Sequence, residues 1–111
     1  MSIPMFVSFT IPAGASLQLD CVDGQVISIT QISSNLQGKE RVVVWATASI
    51  EEKKPGEKIA IASLIPGNDV VQVNFAFNSF SSTIFSLSGS NAAVTISGYS
   101  NIMYEPNVKI L

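Results

Sequence analysis

The sequence predicts an all-β domain, and three observations support that fold class. Apolar and polar residues alternate with a period of two along the whole chain, as they do in half-buried strands. The alternating runs are rich in Val, Ile, Phe and Thr, and short stretches of Gly, Pro, Asn, Asp and Ser separate them. No window of the sequence has the 3.6-residue period of an amphipathic helix. Short strands spaced by about 8–12 residues are typical of a β-sandwich or a small barrel, jelly rolls included.

Eight strands are predicted from these runs. In chain order they are Met5–Ile11, Ser16–Asp20, Gln25–Ile32, Glu40–Ile50, Glu57–Leu64, Val70–Phe77, Thr83–Ser88 and Ala93–Tyr99. Gly or Pro occurs where a tight turn requires it, at Pro12-Ala13-Gly14, Asp23-Gly24, Pro55-Gly56, Pro66-Gly67 and Ser88-Gly89-Ser90-Asn91. A chain of 111 residues has the size of one domain, and we expect its core to span about 5–99, with 100–111 as a C-terminal extension.

The two faces of the predicted strands differ in polarity. In the sixth strand, Val and Phe alternate with Gln, Asn and Ala. In the third strand, Ile27 and Ile29 form one row, whereas Val26 and Ile32 belong to the other row, together with Ser and Thr. One face therefore predicts a core, and the other is mostly uncharged.

A solvated face usually carries Lys and Glu, but only 13% of this chain is charged and its mean hydropathy is +0.40. We therefore expect part of the low-charge face to be buried between copies of the chain. The alternative is a Ser-rich monomer. The candidate interface residues are Phe6, Phe9, Val26, Ile32 and Trp45.

The composition excludes several function classes. Six basic and eight acidic residues give a net charge of −2, so there is no basic excess for direct nucleic-acid binding. The chain has no His, and its single cysteine, Cys21, cannot form an internal disulfide or a structural zinc site. The adjacent Glu51 and Glu52 would point to opposite faces of a strand, and no serine has a His partner or a G-x-S-x-G context. We expect no catalytic residue, no metal and no cofactor.

Compartment signals favour an intracellular protein. One unpaired cysteine and the lack of an Asn-x-Ser/Thr sequon fit a reducing environment. The apolar N-terminus has no Lys or Arg and is interrupted by Pro4 and Pro12, so a signal peptide is not expected. No apolar run approaches the ~18–20 residues that span a bilayer, so we expect no membrane partner.

Four segments carry motifs that occur together in one family. Phe6–Gly14 is similar to F-W-G-x-E-V-x-P-G, and Val26–Ile32 is similar to L-H-I-S-Q-A. Ala62–Asn68, followed by Val71–Phe77, is similar to T-L-x-P-G-K and its next strand, and Phe85–Gly89 with Val94–Tyr99 is similar to S-G-x-x-x-V-H-L-T-G-Y. In this order the segments resemble the nucleoplasmin-like core domain, which is found in nucleoplasmins, nuclear FK506-binding immunophilins and plant type II histone deacetylases.

The sequence also departs from that family pattern. Val7-Ser8 stands where the family has Trp-Gly, Thr10 stands in place of Glu, and Ser28 and Thr95 stand in place of His. No polyacidic tract is present, and Glu105 is the single acid in residues 100–111. The sequence is therefore either the folded N-terminal piece of a longer protein or a tailless member of the family.

The resemblance implies an eight-stranded antiparallel jelly-roll barrel or sandwich that assembles as a cyclic pentamer. It also implies a non-catalytic, nuclear histone chaperone core whose acidic rims bind histones or other basic proteins. The candidate partner-binding residues are Asp20, Asp23, Glu51 and Glu52. If an FK506-binding isomerase domain follows in a longer chain, this domain would be its oligomerising module.

Two other functions stay open from the residues alone. One is a structural or adhesive β-sandwich subunit, which would use the low-charge faces for fixed assembly. The other is a carbohydrate-binding jelly roll, which would need Trp45 or Tyr99 exposed on a concave face.

Overall fold

The computed structural model describes residues 5–49, 58–78 and 82–111, and within these ranges the chain forms nine β-strands. They are β1 (Met5–Ile11), β2 (Ser16–Asp20), β3 (Val26–Ser34), β4 (Val42–Ser49), β5 (Lys58–Leu64), β6 (Val70–Asn78), β7 (Ser82–Gly89), β8 (Val94–Ser100) and β9 (Asn107–Ile110).

The strands form two antiparallel sheets that pack face to face. The four-stranded sheet has the order β1-β8-β3-β6, and the five-stranded sheet has the order β5-β4-β7-β2-β9. The first eight strands follow the jelly-roll order, and β9 adds a strand beside β2. The predicted all-β jelly-roll sandwich is therefore confirmed. Across the described ranges, no helix has the length and hydrophobicity to cross a membrane.

Each predicted strand is present, with described ends that differ from the prediction by at most two residues. The predicted ends at Ile50 and Glu57, and the turn Pro55-Gly56, lie outside the described residues. The ninth strand lies within the segment that the sequence predicts as an extension. It is held by pairing between Asn107–Ile110 and Leu17–Asp20.

The core lies between the sheets and is filled by alternate residues of both. Val7 and Ile11 contribute from β1, Leu17 and Leu19 from β2, and Phe85 from β7, all of them buried. Because the inward residues are almost entirely aliphatic or aromatic, burial of apolar surface stabilises this arrangement.

A β-bulge in β3 changes which side chains reach the core. The register of β3 against both β6 and β8 shifts between Ile29 and Gln31. The extra residue, Thr30, reverses the alternation, so Ile32 points inward and is fully buried. The expectation that Ile32 lies on the outer face, as an interface residue, is therefore wrong. Val26, which precedes the bulge, stays on the outer face and is exposed.

Gly98 allows β8 to approach β3 closely beside this bulge. It pairs with Ile29, and a Cβ atom at position 98 would overlap the backbone of Ser28. Only glycine fits between the two strands without moving one of them.

Candidate assembly surfaces and acidic end of the sandwich

The outer face of the four-stranded sheet carries no charged side chain among the described residues. Its members are the outward residues of β1 (Phe6, Ser8, Thr10), β8 (Thr95, Ser97, Tyr99), β3 (Val26, Ser28, Thr30, Gln31, Ser33) and β6 (Val70, Gln72, Asn74, Ala76, Asn78). We call this surface the uncharged face. Its hydroxyl groups pair across strands, with 3.2 Å between Thr10 Oγ1 and Thr95 Oγ1. The predicted low-charge second face is confirmed for this sheet.

Two aromatic side chains stand on the uncharged face. Phe6 and Tyr99 are directly opposite each other on β1 and β8, and their ring centroids are 6.0 Å apart at an interplanar angle of 75°. Phe6 is 62% exposed and Tyr99 is 50% exposed. Val26 borders the same depression as Tyr99. Aromatic surface of this kind, exposed on a face without charge, is typical of protein–protein contact sites.

The other predicted interface residues lie in different places. Phe9 is half-buried and packs toward the core, with its ring centroid 5.9 Å from that of Phe85. Trp45 is on the outer face of the five-stranded sheet and is also half-buried. Its Nε1 donates a 2.8 Å hydrogen bond to Ser88 Oγ, and Lys58 Nζ lies 5.2 Å from the ring centroid. Phe6 and Val26 thus both stand on the uncharged face, whereas Phe9, Ile32 and Trp45 do not.

Exposed apolar side chains gather on two opposite sides of the sandwich. The first side contains the edge strands β1 and β9, together with the neighbouring end of β8 and the segment that leads from it to β9. Its exposed large apolar residues are Phe6, Tyr99, Met103, Tyr104, Val108, Ile110 and Leu111. We call it the β1/β9 side.

The second side contains the other two edge strands, β5 and β6, and the turn between them. Its exposed large apolar residues are Ile59, Ile65 and Val70. We call it the β5/β6 side. Within the described ranges, the two sides hold every exposed large apolar side chain except Val26, which lies on β3.

A groove of about 360 Å³ separates the two edge strands of the β1/β9 side. Its walls include Phe6 and Phe9 from β1 and Val108 from β9, with Glu105 and Pro106 also lining it.

Two of the predicted acidic residues lie near one end of the sandwich. Asp20 ends β2 and its Oδ2 accepts a 2.8 Å hydrogen bond from Gln18 Nε2, whereas Asp23 is exposed in the following turn. Ser82 and Thr83 are the first two residues of β7. Ser82 pairs with Ser49 of β4 and Thr83 pairs with Leu19 of β2, so β2 and β4 end on the same side of the sheet. We call this the acidic end. Glu51 and Glu52 lie outside the described residues.

A buried amide fixes the C-terminal segment to the acidic end, and the sequence analysis missed it. Gln25 is fully buried, and its Nε2 donates hydrogen bonds to Ser100 Oγ (3.0 Å) and to the Tyr104 carbonyl (2.7 Å). Its Oε1 accepts a hydrogen bond from the Val22 amide at 3.0 Å. Gln25 at a predicted strand start gives no sequence signal of this role, because its partners are 75 and 79 residues away.

Cys21 is not an activated nucleophile. Burial raises the pKa of its thiol above the ordinary value of 9.0, and the charge of Asp20 raises it further, while a backbone hydrogen bond from Ile27 lowers it. Its Sγ also lies 3.6 Å from the Phe77 carbonyl. In the part of the chain that the structure describes, no three His, Cys, Asp or Glu side chains cluster as metal ligands would.

Two solved structures have a similar fold. The crystal structure of the Drosophila NLP core, described in relation to pentamer formation and histone binding, superposes with a TM-score of 0.70 at 25% identity, covering 86% of this chain and 96% of that one. The nucleoplasmin-like N-terminal domain of Drosophila FKBP39 superposes with a TM-score of 0.67 at 16% identity, covering 92% and 93% of the two chains. The latter likeness concerns the fold alone.

The comparison with curated proteins gives no match. The sequence model of the nucleoplasmin-like domain, by contrast, matches residues 6–101, which span β1 to β8 apart from Met5. Because this match covers most of the chain, and the strands have the jelly-roll order, the chain belongs to the nucleoplasmin-like domain family.

Proposed function

We propose that this domain is the non-catalytic, oligomeric core of a nuclear histone chaperone, which assembles as a cyclic pentamer and binds histones or other basic proteins. The observation that carries the proposal is the uncharged face with its exposed Phe6 and Tyr99, a surface suited to contact with another protein. The Drosophila NLP core, with the same fold, is described in relation to pentamer formation and histone binding.

The binding mechanism in this proposal is electrostatic. Each copy has a net charge of −2, so five copies would form a ring of −10. The acidic end repeats Asp20 and Asp23 around one rim, where negative potential attracts Lys- and Arg-rich partners. Glu51 and Glu52 are proposed to add to the same rim.

The proposed role as an oligomeric core also holds if this domain is part of a longer protein. The sequence resemblance to the N-terminal domains of nuclear FK506-binding immunophilins supports a second arrangement, in which this domain oligomerises an isomerase domain. Any isomerase activity would then belong to the other domain.

The proposal is tested by mass and by histone binding at graded salt. Light scattering should give about 59 kDa, five times the 11.8 kDa chain. Affinity for core histones should fall steeply between 0.1 and 1 M NaCl, because the Debye length shortens from about 10 Å to about 3 Å.

Matched variants identify the charges that contribute. Asp20→Asn combined with Asp23→Asn should weaken histone binding and flatten its salt dependence, and adding Glu51→Gln and Glu52→Gln should weaken it further. Glu40→Gln, in the turn at the opposite end, is the control, because an amide oxygen can still accept the hydrogen bond from the Gln37 amide. A monomer of 11.8 kDa, or histone affinity that salt does not change, would contradict the proposal.

A further inference from the structure

We propose that the groove between β1 and β9 is a peptide-binding site, in which an extended, basic segment of another protein adds as a fifth strand to the four-stranded sheet, beside β1. This site goes beyond the proposed chaperone function, because it would bind through backbone pairing and an apolar row of side chains, not through the acidic end. One wall of the groove, β9, also follows residues 6–101, which match the nucleoplasmin-like domain.

The two sheets have unequal numbers of strands where the groove lies. The four-stranded sheet ends at β1, and the five-stranded sheet ends at β9. The groove is lined by the five residues Met5–Phe9 of β1 and by Val108 of β9. These two edge strands therefore face the same space, one from each sheet.

An apolar row of the larger sheet is left uncovered at this space. Val108 pairs with Leu19 and Ile110 pairs with Leu17. Because directly paired residues of neighbouring strands point to the same face, Val108 and Ile110 continue the inward row of β2. Leu17 and Leu19 are fully buried, but Val108 is 39% exposed and Ile110 is 49% exposed. A strand added beside β1 would cover this end of the row.

The backbone of β1 offers an open edge to such a strand. All seven residues of β1 pair with β8 on one side, and no described strand pairs with β1 on the other. In an antiparallel pair, alternate residues direct their amide and carbonyl away from the neighbouring strand, so this edge presents donors and acceptors that select an extended peptide. The five residues that line the groove correspond to ~16 Å of strand.

The charge of the groove favours a basic peptide. Glu105 is the only charged side chain among the described residues that line the groove, and it is exposed. Lys109, the charged residue of β9, pairs with Gln18 and therefore points to the opposite, outer face of its sheet. The partner that fits is an extended segment with apolar side chains at alternate positions, facing Val108 and Ile110, and with Lys or Arg among the others.

The test uses a fluorescently labelled peptide, Lys-Val-Thr-Val-Thr-Val-Lys, whose binding to the wild-type chain is measured by fluorescence anisotropy. The measurement is made at 0.15 M NaCl, where the Debye length is about 8 Å and the attraction of distant charges is screened. A second peptide has Glu in place of both Lys residues. It should bind at least roughly threefold more weakly, because it brings like charge to Glu105.

Two further peptides test the backbone pairing. Each is N-methylated on alternate residues, in one or the other of the two possible sets, and each methyl group removes an amide donor. Only alternate amides of an added strand pair with β1, so one of these peptides should lose binding while the other keeps it. A peptide held by its side chains alone would not distinguish the two sets.

Variants of the protein test the groove itself. Val108→Thr should weaken binding by roughly threefold to tenfold, because a hydroxyl replaces a methyl group in the apolar row. Val70→Thr is the matched control and should leave the affinity unchanged, since Val70 is also exposed on an edge strand, but at the opposite edge of the four-stranded sheet. Glu105→Gln should reduce the preference for the Lys peptide over the Glu peptide. Circular dichroism checks that each variant keeps its β-sheet signal.

Three results would overturn the proposed site. These are no binding of the Lys peptide to the wild-type chain, equal behaviour of the two N-methylated peptides, and equal affinity of Val108→Thr and Val70→Thr. If the peptide does not bind and Val108→Thr lowers the mass measured by light scattering, the groove is a contact between copies of the chain.

The same preparations separate this site from the proposed function. Peptide binding by a chain that neither oligomerises nor binds histones would leave the site standing and refute the chaperone function. An oligomer that binds histones but not the peptide would refute the site alone.

Discussion

The rings of Phe77 and Phe85 meet edge to face between the two sheets, with centroids 5.5 Å apart and an interplanar angle of 82°. Phe77 comes from β6 of the four-stranded sheet and Phe85 from β7 of the five-stranded sheet. This contact joins the two layers at the largest fully buried side chain of the described core.

Phe85→Ala should therefore destabilise each protomer by about 3–5 kcal/mol, because it removes a buried aromatic ring and leaves a cavity. Ile84→Ala, one residue earlier on the outward face of β7, should cost less than half as much. Urea unfolding followed by tryptophan fluorescence measures both. Equal costs would mean that Phe85 does not join the sheets.

Gln25→Ala should destabilise the protomer by about 2–4 kcal/mol, because the Val22 amide and the Tyr104 carbonyl lose a buried hydrogen-bond partner. Hydrogen exchange should accelerate at Val22 and along β9, while β4 and β7 stay protected. Gln31→Ala, at an exposed position of the bulge, is the control and should change neither stability nor exchange. Unchanged exchange at Val22 in Gln25→Ala would contradict the assigned hydrogen bonds.

Gly98→Ala should lower stability by about 1–3 kcal/mol, since its methyl group would overlap the β3 backbone at Ser28 and force the strands apart. The neighbouring Ser97→Ala, which adds no atoms, should cost less than about 1 kcal/mol. Thermal unfolding compares the two. A Gly98→Ala protein as stable as wild type would show that β3 and β8 separate without cost.

Cys21 should make stability depend on pH in the alkaline range. Burial holds the pKa of the folded thiol above 9.0, so the folded state keeps its proton at a pH where the unfolded chain has lost it. Stability from this group is fully present below pH 9.0 and declines as the pH rises through the folded pKa. Cys21→Ala should remove this component of the decline, which urea titrations between pH 8 and 10.5 would detect. An identical pH profile in Cys21→Ala would refute the assignment.

Strand positions could be predicted because period-2 alternation reports directly which residues face a core. Val71, Val73, Phe75 and Phe77 alternate with outward residues, as the sequence indicates. Ile32 could not be placed, since a bulge is a property of pairing between strands and leaves no mark in one strand's alternation. The strand β9 was missed because its four residues are all exposed and show no buried row.

The uncharged character of the candidate contact surface could be predicted from the sequence, but only some of its residues could be. Low charge predicted an uncharged surface, and Phe6 and Val26 lie on it. Tyr99, which pairs with Phe6, was outside the predicted interface set because cross-strand neighbours depend on register. The division of apolar residues between two opposite sides depends on which strands form the sheet edges, and that follows from topology alone.

The pairing of β9 with β2 determines where the domain can be truncated without exposing a sheet edge. A chain shortened to the end of the predicted core, at Tyr99, would lose both β9 and the Tyr104 carbonyl that accepts a hydrogen bond from Gln25. It would leave β2 as a bare edge whose unpaired amides and carbonyls can recruit a strand from another molecule. Such a shortened chain should precipitate or form mixed aggregates, whereas a boundary after Ile110 keeps the edge covered.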